Sequence, residues 1–109
     1  MSVFFEVTEQ NFAQEVLQSS MPVLVEFGAP WCAPCKRLEP VLEGLGKEWS
    51  GKVRLGHINV DENPNLAALQ QVLSVPTVIL FVQGKPRQRM SGFQPRERLV
   101  EKFLPELEG

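Results

Sequence analysis

Two cysteines, Cys32 and Cys35, lie in the segment FGAPWCAPCKR, and the chain contains no others. Two thiols at this spacing could form a structural disulfide, half of a metal site, or a reversible redox pair. A structural disulfide here would close a very small loop and constrain the unfolded chain little. A structural zinc site commonly needs four Cys or His ligands. Because the chain has two Cys and one His, we expect no metal site within it, although a metal shared between two chains stays open.

The residues around the cysteines predict the beginning of a helix. With Pro34 in the first turn, Cys32 stands at the N-terminal end and Cys35 one turn further on. Residues three apart on a helix have Cβ atoms about 5–6 Å apart, whereas relaxed disulfides need about 3.5–4.5 Å. A small adjustment of this turn can therefore make or break the bond. The helix N-terminus would also stabilise a thiolate at Cys32, the form that attacks disulfides, so the pattern favours a redox pair.

Alternating strand and helix patterns surround the cysteine pair. Their order, β-α-β-α-β-α-β-β-α, predicts an α/β fold with a central mixed sheet and helices on both faces. The last two strands follow each other through a short turn and predict an antiparallel edge. The predicted strands are 2–7, 21–27, 52–60, 77–82 and 87–92, and the helices are a segment after Thr8, then 34–49, 61–73 and 95–107.

Apolar spacing also predicts which helical residues are buried. In the third helix, one face is expected to pack on the core; it consists of Leu66, Leu69, Val72 and Leu73. In the last helix, Pro105 lacks a donor and crowds the preceding turn, so we expect it to fray or end the helix.

Length and composition limit the possible classes of protein. The 109 residues fit a single domain, 1–109, with 43% apolar residues to form a core. A net charge of −2 gives no electrostatic reason to bind nucleic acid or an anionic membrane. The N-terminus lacks the pattern of a signal peptide, and no apolar stretch approaches the ~20 residues that cross a bilayer. We therefore expect a cytoplasmic protein, in which a cysteine pair is more often catalytic or metal-binding than structural.

Three further residues could support chemistry at the cysteines. Glu26 is the only charged residue in the apolar strand MPVLVEF. It could face water at a frayed strand end, or be a buried carboxyl with a raised pKa that accepts a proton from Cys35. His57, in RLGHINV, could be a half-exposed strand residue or a proton carrier. Pro76 could simply begin the buried strand TVILFV.

Taken in order, these motifs resemble the thioredoxin family over essentially all 109 residues. The matching features are VLVEF, F-x-A-P-W-C-A-P-C-K, Pro40 in the following helix, INVDENP, SVPTVILF and Gly92. The resemblance implies a thioredoxin fold and a protein-disulfide reductase that works through a Cys32/Cys35 dithiol–disulfide couple. It implies disulfide-containing protein substrates, a flavin- and NADPH-dependent thioredoxin reductase as electron donor, and no cofactor of the chain's own. We expect a monomer.

The resemblance also assigns roles to individual residues. Glu26 stands where the family has a buried aspartate, and His57 where it usually has lysine; His57 would hydrogen-bond Glu26 directly or through water and carry its proton to solvent. Pro76 would be a cis-proline facing the cysteines, leaving the Val75 backbone free to pair with an extended substrate. An apolar rim would bind substrate around Cys32; its members are Trp31, Ala33, Pro34, Gly92 and Phe93.

Two departures from the family pattern flank the cysteines. The family generally has glycine where Ala33 stands and often tryptophan where Gly28 stands. Either change could shift the reduction potential or the set of partners.

Two alternative functions stay open on the sequence alone. One is a disulfide oxidase or isomerase of the same fold, although such relatives often carry His between the cysteines, and Ala-Pro favours a reductase. The other is a non-catalytic binding or chaperone-like module whose thiols are incidental.

Overall fold

Five strands and three α-helices make up the computed structural model, which describes residues 3–108. The strands are β1 (Phe4–Glu6), β2 (Val23–Gly28), β3 (Arg54–Asn59), β4 (Thr77–Val82) and β5 (Lys85–Ser91). The helices are α1 (Ala33–Glu48), α2 (Pro64–Leu69) and α3 (Arg96–Glu108), with a π-helical segment at Ala13–Leu17. The predicted order of elements is confirmed. Ser2, included in the first predicted strand, lies outside the described residues.

The strands form one mixed sheet in the order β1-β3-β2-β4-β5. β3 runs parallel to both β1 and β2, whereas β4 runs antiparallel to β2 and to β5. The predicted antiparallel pair at the edge, β4 and β5, is therefore present. Strand direction already reverses between the central strand β2 and β4, one strand before this edge pair. β2, which leads directly to the cysteines, is paired on both sides.

Two apolar layers cover the two faces of the sheet, because alternate residues of β2 point in opposite directions. On one face, Val23, Val25 and Phe27 pack with the π-helical segment and α2. On the other face, Leu24 packs with α1 and α3; the helical residues in this layer include Leu38, Leu42, Leu45, Leu99 and Phe103. The prediction of helices on both faces is confirmed.

The third helix is shorter than predicted, and part of its expected core face is exposed. α2 ends at Leu69, and the chain turns at Gln71, which has a φ of 57°. Leu66 is buried, but Leu69 and Leu73 are 78% and 96% exposed. The expectation that these two leucines pack on the core is wrong. Leu69 is the last residue of α2, and Leu73 lies beyond its end, where helical spacing no longer applies.

The last helix continues through Pro105 to Glu108, so the expectation that Pro105 would end it is wrong. Leu104 and Leu107, on either side of Pro105, both pack against the core layer beneath α3. The apolar surface buried there favours continuation of the helix. No helix within residues 3–108 combines the length and apolarity that a membrane span requires.

Candidate active site

Cys32 and Cys35 form a disulfide at the beginning of α1, with their Cα atoms 5.3 Å apart. Cys32 is the N-cap residue, as predicted, and the Cys35 N–H donates a hydrogen bond to Cys32 Sγ at 3.2 Å. Cys35 is completely buried, while Cys32 is 3% exposed. Cys32 is therefore the member of the pair that a substrate reaches first.

Glu26 lies on the face of β2 that points toward α1, behind the disulfide. Its side chain is 0% exposed, and neither carboxylate oxygen has a hydrogen-bond partner among the described residues. Burial, together with the nearby carboxylates of Glu39 and Glu6, raises the pKa of Glu26 to about 9. Of the two interpretations of Glu26, the buried carboxyl is confirmed and the water-facing strand end is wrong.

Gly28 leaves the space in which the carboxyl of Glu26 and the sulfur of Cys35 meet. A Cβ atom at Gly28 would stand 2.9 Å from Glu26 Oε2 and 3.3 Å from Cys35 Sγ. Two residues apart on β2, Glu26 and Gly28 point to the same face of the sheet. Glu26 and Cys35 are therefore neighbours, separated only by the space that a side chain at Gly28 would fill.

A row of polar side chains crosses three adjacent strands of this face. Strand register places His57 of β3 beside Glu6 of β1 on one side and Glu26 of β2 on the other. His57 Nδ1 lies 3.0 Å from Glu6 Oε1, whereas His57 Nε2 lies 3.9 Å from Glu26 Oε1. Of the two contacts expected between His57 and Glu26, the direct hydrogen bond is therefore absent, since Glu6 is the nearer carboxylate. A contact through water stays a prediction.

Two carboxylates of this cluster, Glu6 and Glu39, were not among the predicted site residues. Glu39 Oε2, from α1, lies 3.9 Å from His57 Nε2. A signal for Glu39 was present, since it follows Cys35 by four residues and so shares its helical face. Glu6 could be found only from the pairing register of β1 with β3.

Several of the residues predicted to form an apolar rim are exposed. Trp31 is 69% exposed, and its indole N–H donates a hydrogen bond to Asp61 Oδ2 at 2.8 Å. Phe93 is also exposed, and the Arg37 guanidinium carbon lies 5.3 Å from the centre of its ring. Ala33 is exposed and Pro34 half-buried at the beginning of α1.

A groove of about 230 Å³ runs beside Trp31. The residues that line it are Trp31, Val60, Val72, Leu73, Ser74 and Val75. Leu73 and Asp61 were not among the predicted site residues, because an exposed leucine beyond a helix and an aspartate in a turn carry no distinctive local signal.

Pro76 follows a cis peptide bond from Val75, as expected. Val75 packs against the small cluster of Ala29, Cys32 and Cys35. Gly92 donates a backbone hydrogen bond to Pro76 O at 2.8 Å, which joins the end of β5 to the site. Within residues 3–108, neither backbone group of Val75 has a hydrogen-bond partner.

The sequence profile described as "Thioredoxin" matches residues 3–104. The chain belongs to the thioredoxin family. It is 42% identical over 95 residues to a thioredoxin of Rickettsia felis, covering 87% of this chain and 90% of the relative. It is 47% identical over 96 residues to a thioredoxin of Staphylococcus haemolyticus, covering 88% and 90%. It is also 43% identical to the chloroplastic thioredoxin M4 of Arabidopsis thaliana over 103 residues, which are 92% of this chain and 53% of the relative.

Family membership and the Cys32–Cys35 disulfide together establish the chemistry. This thioredoxin-family protein is a protein-disulfide oxidoreductase that performs thiol–disulfide exchange. In general terms, its substrates contain disulfides and a reductase supplies its electrons. No observation on residues 3–108 favours the oxidase, isomerase or non-catalytic alternatives.

Proposed function

We propose that Cys32 is the attacking thiol and Cys35 the resolving thiol of a protein-disulfide reductase. The Cys32 thiolate attacks one sulfur of a substrate disulfide, and the other substrate sulfur leaves as a thiolate. Cys35 then loses its proton and attacks Cys32 Sγ. This step forms the Cys32–Cys35 disulfide and expels the second substrate thiolate, so that two electrons pass from the cysteine pair to the substrate.

Glu26 is the proposed acceptor of the Cys35 proton. The observation that carries this proposal is the space at Gly28, where a single Cβ position lies 2.9 Å from Glu26 Oε2 and 3.3 Å from Cys35 Sγ. Burial raises the pKa of Glu26 to about 9, close to the value of about 8.5 for an ordinary thiol. The ionised form of Glu26, a minority at neutral pH, is therefore a strong enough base to accept a proton from a thiol.

Glu26 also acts in the second half of the catalytic cycle, in which the Cys32–Cys35 disulfide is reduced again. When an electron donor attacks the Cys32–Cys35 disulfide, Cys35 leaves as a thiolate and receives a proton from Glu26. At neutral pH the raised pKa keeps Glu26 protonated and ready to donate. The proposed donor is a flavin- and NADPH-dependent thioredoxin reductase, and the chain acts as a monomer without a cofactor of its own.

His57 is proposed to connect Glu26 with solvent. Its Nε2 is 3.9 Å from Glu26 Oε1, and its side chain is 24% exposed while that of Glu26 is fully enclosed. A proton that leaves Glu26 therefore has His57 as its partly exposed neighbour in the polar row.

The rim and the groove are the proposed binding surface for the substrate. An extended segment would lie across Trp31 and pair with the backbone of Val75, next to Pro76. The remaining contacts would come from Ala33, Pro34, Gly92 and Phe93. The exposed aromatic and aliphatic groups of this surface supply affinity without demanding one sequence.

The proposed compartment is a reducing one such as the cytoplasm, because a dithiol reductant must itself be kept reduced. Insulin reduction with a dithiol donor tests the assignment of the thiols. We expect Cys32→Ser to abolish turnover and Cys35→Ser to accumulate a mixed disulfide with the substrate. Turnover that survives Cys32→Ser would exclude the mechanism. A reduction potential in the range of oxidases would favour the oxidase alternative.

A further inference from the structure

We propose that Glu26, Glu39 and His57 form a binding site for a divalent transition-metal cation, with Zn²⁺ as the reference ion. Each residue offers one ligand atom, and the three atoms lie within 4.8 Å of one another. The three side chains come from β2, α1 and β3, so the site lies between the sheet and the helix. It shares Glu26 and His57 with the proposed proton path but contains neither cysteine, so binding of the ion can be measured without reductase activity.

The distances between the ligand atoms fit tetrahedral coordination of the ion once these atoms move slightly closer together. Zn²⁺ bonds of about 2.0–2.2 Å place neighbouring ligand atoms roughly 3.4 Å apart. His57 Nε2 is 3.9 Å from Glu26 Oε1 and 3.9 Å from Glu39 Oε2. The side chains of His57 and Glu39 are 24% and 33% exposed, so both have room to close around an ion that enters from their side.

The buried carboxyl of Glu26 is an independent indication of a ligand. Buried polar oxygens in proteins nearly always have a hydrogen-bond partner. Both oxygens of Glu26 are fully enclosed, and within residues 3–108 neither accepts a hydrogen bond. A cation bound between Glu26 and His57 would replace the proton that burial otherwise keeps on Glu26, releasing it to solvent, and would satisfy Oε1 and neutralise the carboxylate charge.

The other side of the imidazole is already organised for metal binding. His57 Nδ1 lies 3.0 Å from Glu6 Oε1, and the ring packs edge-on against Phe4 with centroids 6.1 Å apart. Metal-binding histidines usually donate their second N–H to a carboxylate, which fixes the tautomer and the ring orientation. Glu6 therefore directs the lone pair of Nε2 toward Glu26 and Glu39.

The ligand set selects the class of ion. One imidazole nitrogen with two carboxylates suits Zn²⁺ and similar transition metals. Mg²⁺ and Ca²⁺ prefer six or more oxygen ligands, and imidazole is a poor substitute. The expectation of no metal site within the chain came from a count of Cys and His. That count does not apply to this site, because two of its ligands are carboxylates.

Titration of the disulfide form with Zn²⁺ tests the site, since the oxidised cysteines cannot bind the ion. We expect one Zn²⁺ per chain by calorimetry, and Mg²⁺ in large excess should not displace it. Glu39→Gln and His57→Ala should each weaken binding by at least about tenfold. Glu101→Gln, which removes an equal charge from an exposed position on α3, should leave affinity within twofold.

A spectroscopic readout locates the ion. His57 is the only histidine, so the ¹⁵N resonance of Nε2 should shift on Zn²⁺ addition in the wild type and in Glu101→Gln. Absence of saturable binding, or affinity unchanged in both Glu39→Gln and His57→Ala, would overturn the proposal. Because Glu39 is partly exposed, Glu39→Gln should fold. The test therefore stays decisive even if substitution of the buried residue, Glu26→Gln, prevents folding.

Discussion

A Cβ atom at Gly28 would lie 2.9 Å from Oε2 of Glu26, closer than such contacts normally are. Gly28→Ala therefore has to displace a carboxyl that is enclosed on all sides. We expect the substitution to lower the free energy of unfolding by about 1–3 kcal/mol, as overpacking in a core does. We also expect it to change the rate at which Cys35 resolves a mixed disulfide, because the acid moves relative to the sulfur. Chemical denaturation and rapid-mixing kinetics measure the two effects.

Gly44 provides the matched control within α1. A Cβ there would meet no described atom within 4 Å, so Gly44→Ala should stabilise the protein by about 0.5–1 kcal/mol through helix propensity. If Gly28→Ala behaved like Gly44→Ala in both measurements, the crowded position at Gly28 would have no functional consequence.

The raised pKa of Glu26 predicts that stability falls with pH. The unfolded chain releases this proton near the ordinary pKa of 4.5, whereas the native protein holds it up to about 9. Between these values the native state binds more protons, so stability contributed by the protonated acid is present at low pH and lost as pH rises. Unfolding curves between pH 5 and 9 should show a loss of up to about 1.4 kcal/mol per pH unit.

Glu26→Gln should flatten this dependence, since the amide does not titrate. Glu101→Gln removes the same charge from the surface and should keep the wild-type slope. Equal slopes in wild type and Glu26→Gln would mean that Glu26 titrates in the native protein as it does in the unfolded chain.

Loss of the Glu26 carboxylate should slow the second chemical step and spare the first. In Glu26→Gln we expect attack of Cys35 on the mixed disulfide to slow by about 100-fold, the usual contribution of a positioned base. Attack by Cys32 on the substrate should change much less. Release of a labelled substrate from the trapped mixed disulfide measures the second step directly, and an unchanged rate would remove Glu26 from the mechanism.

His57 should affect the same step through its pH dependence. His57→Ala removes the side chain that separates Glu26 from solvent, so the pH profile of mixed-disulfide resolution should change shape. Glu6→Gln keeps the imidazole but replaces the carboxyl group that contacts Nδ1, and should give a smaller change. A profile for His57→Ala that superimposes on the wild type would rule out proton transfer through this residue.

Leu73 should contribute to substrate binding and not to folding. Its side chain is 96% exposed and lines the groove beside Trp31. We expect Leu73→Ser to leave the free energy of unfolding within about 0.5 kcal/mol, while kcat/KM for a protein substrate falls about fivefold, a loss near 1 kcal/mol. A small-molecule disulfide, which cannot reach the groove, should be reduced at the wild-type rate; equal losses for both substrates would contradict a docking role.

Local sequence patterns were sufficient to predict part of this site. The N-cap position of Cys32, the burial of Glu26 and the cis bond at Pro76 each follow from a short motif or its family resemblance. Glu6 and Glu39 were missed because their roles depend on strand register and on the packing of α1 over the sheet, which join residues distant in sequence. Leu73 and Pro105 were predicted wrongly because tertiary packing decided where α2 ends and let α3 continue.

The central position of β2 affects how long the site survives fluctuations of the fold. Glu26 belongs to a strand that is hydrogen-bonded on both sides, whereas Trp31 and Leu73 lie on exposed connecting segments. Backbone amides of such a strand exchange with deuterium only when most of the structure opens, while connecting segments exchange through local openings. The substrate-binding surface can therefore adapt to different partners while the acid behind the cysteines keeps its place.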